Sequence, residues 1–337
     1  MLNNQTSTHQ KKLELLCPAG TLGALKSAVL AGADSVYCGF KNETNARNFP
    51  GLNLSVDELK EGVDFANQYG TKVLVAINTY PTAGKTHIWH QAIDDAAKCG
   101  AYAVIVADIG LLEYAHKNQP QLRRHLSVQA AASSVDAINY FVDTYKVSRV
   151  VLPRVLTIKQ IREYKEKTNV ELEVFVYGGL CVMAEGKCSL SSYITSRSPN
   201  KNGVCSPAEY VEYEDKGTKL LSKLNGSVIN QFAKTENPGY PTICKGRFEA
   251  EGDISYLFEE PSSLSITEML PELLEIGVVA LKIEGRQRGK SYVENVIKTF
   301  KAAIDKVHAG QSYDTQALAD LSEGNSNTQG AYNRKWM

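Results

Sequence analysis

Short apolar runs alternating with helical stretches of about ten residues narrow the folds open to this chain more than any other feature of its sequence. Residues 72–77 (KVLVAI) and 103–107 (AVIVA) are almost wholly apolar, so both faces of these segments must be covered. That pattern belongs to a parallel sheet with helices packed on it. Strands are predicted at 13–16, 35–37, 72–77, 103–107, 126–128, 149–152, 171–176 and 279–283. Helices are predicted over 22–30, 56–69, 87–99, 136–142, 158–167, 266–275 and 291–307. Eight strands is the number that closes a (β/α)8 barrel of the TIM type. An open doubly wound sheet is the competing architecture, but no Gly-x-Gly-x-x-Gly follows the first strand.

The series breaks between the seventh and eighth strands. Over residues 178–263 the period is lost and Gly, Pro, Ser and Cys become frequent. An insertion there emerges at the carboxyl end of the barrel, where such folds keep their chemistry. One domain over 13–337 is expected, with 178–263 as its insertion and the polar residues 1–12 as a disordered tail. The chain after Gln311 is polar again until Tyr332. The 43% hydrophobic content supplies a large core. Lys plus Arg and Asp plus Glu both number 37, so no global field draws the chain to nucleic acid or to an anionic membrane, although a local basic groove stays open. No apolar run approaches the roughly 20 residues of a spanning helix, and no apolar segment marks a secretion signal. A soluble, cytoplasmic protein is expected.

Four of the seven cysteines, Cys181, Cys188, Cys205 and Cys244, fall in the insertion, separated by six, sixteen and thirty-eight residues. Turn residues flank each one, and loops of that kind can gather thiolates at one place. The spacing admits a zinc site, an iron–sulfur cluster or four unrelated buried thiols, because no Cys-x-x-Cys pair decides between them. Cys17, Cys38 and Cys99 read as packing residues. The six histidines read as exposed or isolated. Neither His-Glu-x-x-His nor Gly-x-Ser-x-Gly occurs, and the phosphate-loop pattern before Gly186-Lys187 fails at Cys181. Asn78, Asp108, Gln129, Arg154, Glu284 and Arg286 follow strand ends and are expected at the barrel mouth.

Several segments resemble the collagenase-like peptidase family. They include Glu14 to Gly20 (ELLCPAG), Leu172 to Ser191 with its Cys181-x6-Cys188 spacing, Cys244-Lys245-Gly246-Arg247 and Lys282-Ile283-Glu284-Gly285-Arg286. Asn45-Ala46-Arg47, Ser127-Val128-Gln129-Ala130, Pro153-Arg154, Ser206-Pro207-Ala208 and Gly330 to Trp336 are similar to the branch of that family that serves ubiquinone biosynthesis. Gly179 departs from the pattern, which has Ser or Ala there.

This resemblance implies a [4Fe–4S] cluster on Cys181, Cys188, Cys205 and Cys244. It implies oxygen-independent hydroxylation of a ubiquinone precursor, with prephenate as hydroxyl donor and a UbiV-like homologous subunit as heterodimer partner. Prephenate is a dicarboxylate and guanidinium forks suit it, so Arg154, Lys245, Arg247 and Arg286 are the candidate substrate-binding residues, expected to converge near the cluster. An RNA hydroxylase and a peptidase are the alternatives. The neutral charge speaks against nucleic acid, and the lack of a nucleophile–base pair speaks against proteolysis.

Overall fold

The computed structural model describes residues 12–199, 204–322 and 326–333. Residues 1–11 of the expected tail, and Arg334 to Trp336 of the matched ending, lie outside the described residues.

Eight parallel strands close into a barrel: β1 Glu14–Pro18, β2 Ser35–Cys38, β3 Lys72–Ile77, β4 Ala103–Val106, β5 Arg123–Leu126, β6 Arg149–Val151, β7 Glu171–Gly179 and, far along the chain, Ala280–Ile283. The last of these pairs with β1 on one side (Leu281 opposite Leu15) and with β7 on the other (Leu281 opposite Val174), which closes the ring. The expected (β/α)8 architecture is correct. Capping residues set the helix starts: Ser55 and Glu58 form a reciprocal capping box at Val56–Asn67, and Thr157 with Gln160 does the same at Ile158–Lys167.

Two sequence expectations shift in detail. The fifth strand ends at Leu126 where it was expected to begin, because Ser127 caps a single turn over Val128–Ala130. A helix over Ile109–Asn118 also has no counterpart among the predicted elements. Asp108 caps it, its Oδ1 accepting from the Leu111 N–H at 3.0 Å, so this carboxylate serves a helix and not the mouth.

The irregular block proves to be largely β structure. Beyond β7 the chain forms the three-stranded antiparallel sheet β8 Val211–Asp215, β9 Lys219–Leu224 and β10 Ser227–Ala233, then the hairpin β11 Arg247–Ala250 and β12 Asp253–Tyr256. Asn225 and Gly226 turn β9 into β10 with φ of 48° and 75°, the left-handed pair that a two-residue hairpin requires. β13 Ser263–Ser265 runs antiparallel to the free upper end of β7, and β15 Asn327–Thr328 adds to β13. With these strands placed, Ala280–Ile283 is β14. The polar stretch after Gln311 thus returns to the barrel: Tyr332 is buried and its hydroxyl donates to the Phe175 carbonyl at 2.8 Å.

The barrel interior is unusual in its charge. Strand alternation turns Leu16, Tyr37, Leu74, Ala103 and Ile105 inward, where they form an apolar cluster separate from the main core between sheet and helices. The same period turns Glu14, His125, Arg149, Glu173 and Lys282 inward. At the amino end, Arg149 donates to Glu14 at 2.9 and 3.1 Å and to Glu171 at 2.8 Å, with Glu173 Oε2 at 3.4 Å. Lys72 reaches Glu14 and Arg123 reaches Glu171, each at 3.1 Å. Burial would raise the Glu14 pKa, but the hydrogen bonds and charge of Arg149 dominate and bring it down to about 2. His125 is fully buried with no hydrogen-bond partner at either ring nitrogen among the described residues. Desolvation, with Arg149 and Arg123 close by, keeps it neutral. Of the two settings expected for the histidines, exposed or isolated, His125 takes the second, and it is buried because a strand position facing a barrel axis has no solvent to reach.

Candidate active site at the barrel mouth

The carboxyl ends of the strands open onto two adjoining cavities. One, of about 60 Å³, is walled by Tyr37, Asn78, Gln129, Phe175, Lys282 and the guanidiniums of Arg47, Arg154 and Arg286. The other, of about 350 Å³, lies toward the insertion and is walled by Cys181, Cys205, Tyr240, Lys245 and Arg288. Arg47, Arg154 and Glu284 stand in both walls.

Cations outweigh carboxylates here. Arg286 is buried, its Nη1 donates to Asn45 Oδ1 at 3.3 Å, and its guanidinium stands 5.5 Å from the Tyr37 ring centroid. Desolvation, reinforced by Arg47, drops its pKa to about 10 although Tyr37 and Glu284 oppose the fall. Lys282 is likewise pushed down by burial, against the pull of Glu173, whose Oε1 accepts from its Nζ at 2.7 Å. Burial disfavours the charge of Glu284 as well, but Arg47, Arg154 and the Gly179 N–H at 3.2 Å hold its carboxyl below the usual range. A Cβ at Gly179 would stand 3.2 Å from Glu284 Oε2, so the departure at this position gives that carboxylate room.

The cysteine loop is clamped to the mouth at two points. Arg154 donates from Nε to Glu185 Oε1 at 2.6 Å, donates also to the Gly179 carbonyl, and lies over the Phe175 ring at 4.3 Å. Glu185 sits between Cys181 and Cys188, so Arg154 ties that loop to the end of β6. Gly186, with φ of 82°, packs so closely that a Cβ would stand 2.1 Å from the Gln129 carbonyl oxygen. Cys244 rides on the turn Ile243–Lys245, anchored by the Lys245 Nζ donating to the Ser262 carbonyl at 2.9 Å.

The four insertion thiols share one neighbourhood. Burial raises Cys181 and Cys244 to about 12, and Cys205 adds to both shifts. Cys188 rises for the same two reasons, and Cys181 and Cys188 act in turn on Cys244. Among the described residues no three His, Cys, Asp or Glu side chains stand close enough to hold a single metal ion. A cubane spaces its ligating sulfurs wider than one ion does, and three partly buried thiols with the exposed Cys205 acting on each of them suit a polynuclear cation that replaces their protons. Cys17, Cys38 and Cys99 are buried as packing residues, and desolvation raises each of their thiols.

Of the four expected binding cations, Arg154 and Arg286 face the mouth, and Lys245 lines the cysteine cavity beside Arg154. Arg247 does not converge with them. It pairs with Glu236 at 2.7 Å, donates to the Gln231 carbonyl at 2.6 Å, and stands over Phe232 of β10 and Tyr256 of the outer hairpin. Lys245 closes the turn Ile243–Lys245 while Arg247 opens β11, so the two cations belong to different elements and the two-residue spacing does not hold them on one face. Asn78, Gln129 and Glu284 take their expected places. Lys282, Arg47 and Glu185 are the site residues that strand-end reasoning passed over; the signal for Lys282 was a lone cation inside an apolar strand (ALKI).

Comparison with known proteins decides the family. The model described as Peptidase family U32 matches residues 20–336. The chain belongs to peptidase family U32. It is 32% identical over 303 residues to tRNA hydroxylation protein P1 of Bacillus subtilis, which covers 88% of this chain and 64% of that protein. It is 30% identical over 333 residues to tRNA hydroxylation protein P of Escherichia coli, covering 92% of this chain and 72% of the relative. It is also 30% identical over 302 residues to the 23S rRNA 5-hydroxycytidine C2501 synthase of Escherichia coli, with 88% of this chain and 40% of the synthase covered. The chain therefore spans between 40% and 72% of the length of these relatives. No helix among the described residues is long and apolar enough to cross a membrane.

Proposed function

We propose that this U32 chain is a subunit of an oxygen-independent hydroxylase that carries a [4Fe–4S] cluster on Cys181, Cys188, Cys205 and Cys244. The observation that carries the reading is that Cys181 and Cys205 line the cavity beside the cation-rich mouth, with Cys244 near enough to feel the charge of both and of Cys188. The names of the relatives, tRNA hydroxylation proteins and an rRNA hydroxycytidine synthase, support hydroxylation as the reaction class. When bound, such a cluster supplies one-electron chemistry that side chains lack. The chain's own residues do the rest. Arg286 offers a guanidinium with little compensation to an anionic donor of the prephenate type, and Arg47 and Glu284 shape the passage between the two cavities. Arg154 is a positioning residue, because it fixes the Cys181–Cys188 loop through Glu185.

The acceptor in this reading is a ubiquinone precursor, and the partner is a UbiV-like homologous subunit, the chain being the UbiU-like half of the pair. The second reading, an RNA acceptor, is favoured by the names of the same relatives. Anaerobic co-purification with the partner subunit tests the whole proposal. Iron and sulfide should be present, zinc absent, and a one-to-one complex should elute on gel filtration. Cys181→Ala or Cys244→Ala should lose most of the iron, and Cys99→Ala none. Zinc at one per chain without sulfide would sink the cluster. In cells lacking the gene and grown without oxygen, missing ubiquinone supports the first acceptor. Normal ubiquinone with a missing hydroxylated nucleoside supports the second.

A further inference from the structure

One buried side chain at the mouth has no part in holding the cysteine loop. Lys282 projects inward from β14, is buried, and ends in the mouth cavity, where its Nζ stands 2.7 Å from Glu173 Oε1 and 4.3 Å from the Tyr37 ring centroid. The charged or titratable groups that face it are Glu173 from β7, Tyr37 from β2, Arg149 from β6, His125 from β5 and Arg286 just beyond its own strand. A lysine in such a setting differs from a surface lysine in two ways. Two nearby guanidiniums and burial oppose its protonation, and a carboxylate in direct contact can take the proton it gives up. Above it, Arg286 and Arg154 line the same cavity, within reach of a carboxylate placed there. An amine that can be neutral, a proton acceptor beside it and a carboxylate clamp together make a site for a carbonyl compound that carries an adjacent acid.

We propose that Lys282 is a carbonyl-trapping lysine that forms an imine with a small 2-oxo acid whose carboxylate is held by Arg286. The step balances within the site. Glu173 takes one proton from the ammonium, and the freed nitrogen lone pair adds to the keto carbon. A nitrogen-bound proton passes to the alkoxide to give the carbinolamine. Glu173 then returns its proton as the hydroxyl leaves as water, and the protonated imine pairs with the Glu173 carboxylate. No oxidant or reductant is consumed. The inference requires neither the cluster nor a particular hydroxylation acceptor, so it stands or falls apart from the reading above.

The test is reductive trapping in the whole chain with pyruvate and cyanoborohydride, followed by peptide mapping. Lys282 should carry the carboxyethyl adduct about tenfold above any surface lysine, the advantage expected from one charge-assisted carboxylate contact. Lys282→Arg keeps a cation for Glu173 and should abolish that adduct. Arg286→Gln should lower trapping of pyruvate about tenfold more than trapping of acetone, because acetone has no carboxylate to hold and loses only what the Arg286 charge does for the free amine. An unmodified Lys282 in the unaltered chain, with label spread over surface lysines, overturns the proposal without recourse to any variant. Equal loss of pyruvate and acetone labelling in Arg286→Gln overturns the carboxylate clamp.

Discussion

The two ends of the barrel interior are built from the same residue types and solve opposite problems. At the amino end, Arg149 is surrounded by Glu14, Glu171 and Glu173, and Lys72 and Arg123 extend the pairing outward. At the carboxyl end, Arg286 has an amide oxygen and an aromatic face where Arg149 has three carboxylates. The pKa directions record the difference: Arg149 is pushed up by its carboxylates although burial opposes it, while Arg286 is brought down to about 10 by burial. A satisfied buried cation holds a structure together. An undersatisfied one is available to an incoming anion, and the energy missing from the fold reappears as affinity.

The strongest way to break this comparison is to remove each guanidinium in turn. Arg149→Met should cost about 3–5 kcal/mol in denaturant unfolding, because the buried Glu14 and Glu173 lose their shared guanidinium and keep only Lys72 and Lys282 as ion-pair partners. Arg286→Met should be neutral or stabilising in the same experiment while anion binding at the mouth is lost. If the two variants destabilise equally, the contrast is wrong. Acid supplies the next largest effect. Glu14 has a folded-state pKa of about 2, below its unfolded value, so its contribution is present above the ordinary carboxylate range and is lost as pH falls toward 2. The melting-temperature gap between the native chain and Glu14→Gln should therefore narrow steadily below about pH 4.5.

The comparison also explains what the sequence made legible. Strands buried on both faces read mostly as apolar runs, so seven of the eight barrel strands were visible and the loop between β7 and β14 was placed at the mouth; the fifth, Arg123–Leu126 (RRHL), carries no such run and meets its expected span only at Leu126. Strands of the insertion such as Val211–Asp215 (VEYED) and Ser227–Ala233 (SVINQFA) are half exposed and short, and they carry no such run. The readable signal there was Asn225-Gly226, a hairpin turn between two alternating segments. Single polar residues on inward positions, His125 and Lys282 among them, were hidden because one residue does not disturb a period. The cysteines could be named as candidates from their spacing, but the loop that joins two of them to Arg154 through Glu185 depends on a contact across 31 residues.

Smaller effects sharpen the picture around the mouth. Gly186→Ala combines a left-handed backbone with a clash against the Gln129 carbonyl, and should destabilise by about 1–3 kcal/mol. The loss should appear as faster hydrogen exchange confined to the 181–188 loop. The smallest change is expected at Arg247 on the outer hairpin, whose partner Glu236 is 40% exposed in the loop after β10. Arg247→Ala should cost about 1 kcal/mol from the pair and its aromatic neighbours, and should leave anion binding at the mouth untouched.

The ring closure has a consequence for the chain's own synthesis. Tyr37 donates its hydroxyl to the carbonyl of Ile283 at 2.9 Å, across 246 residues, and β1 finds its second neighbour only when β14 arrives. At roughly 5–20 residues per second on the ribosome, the first strand waits on the order of 12 to 50 seconds with one edge open. An open apolar edge is a template for any other extended chain nearby. The long detour through the insertion thus sets a period of exposure during translation, and agents that shield nascent chains should matter most in that interval.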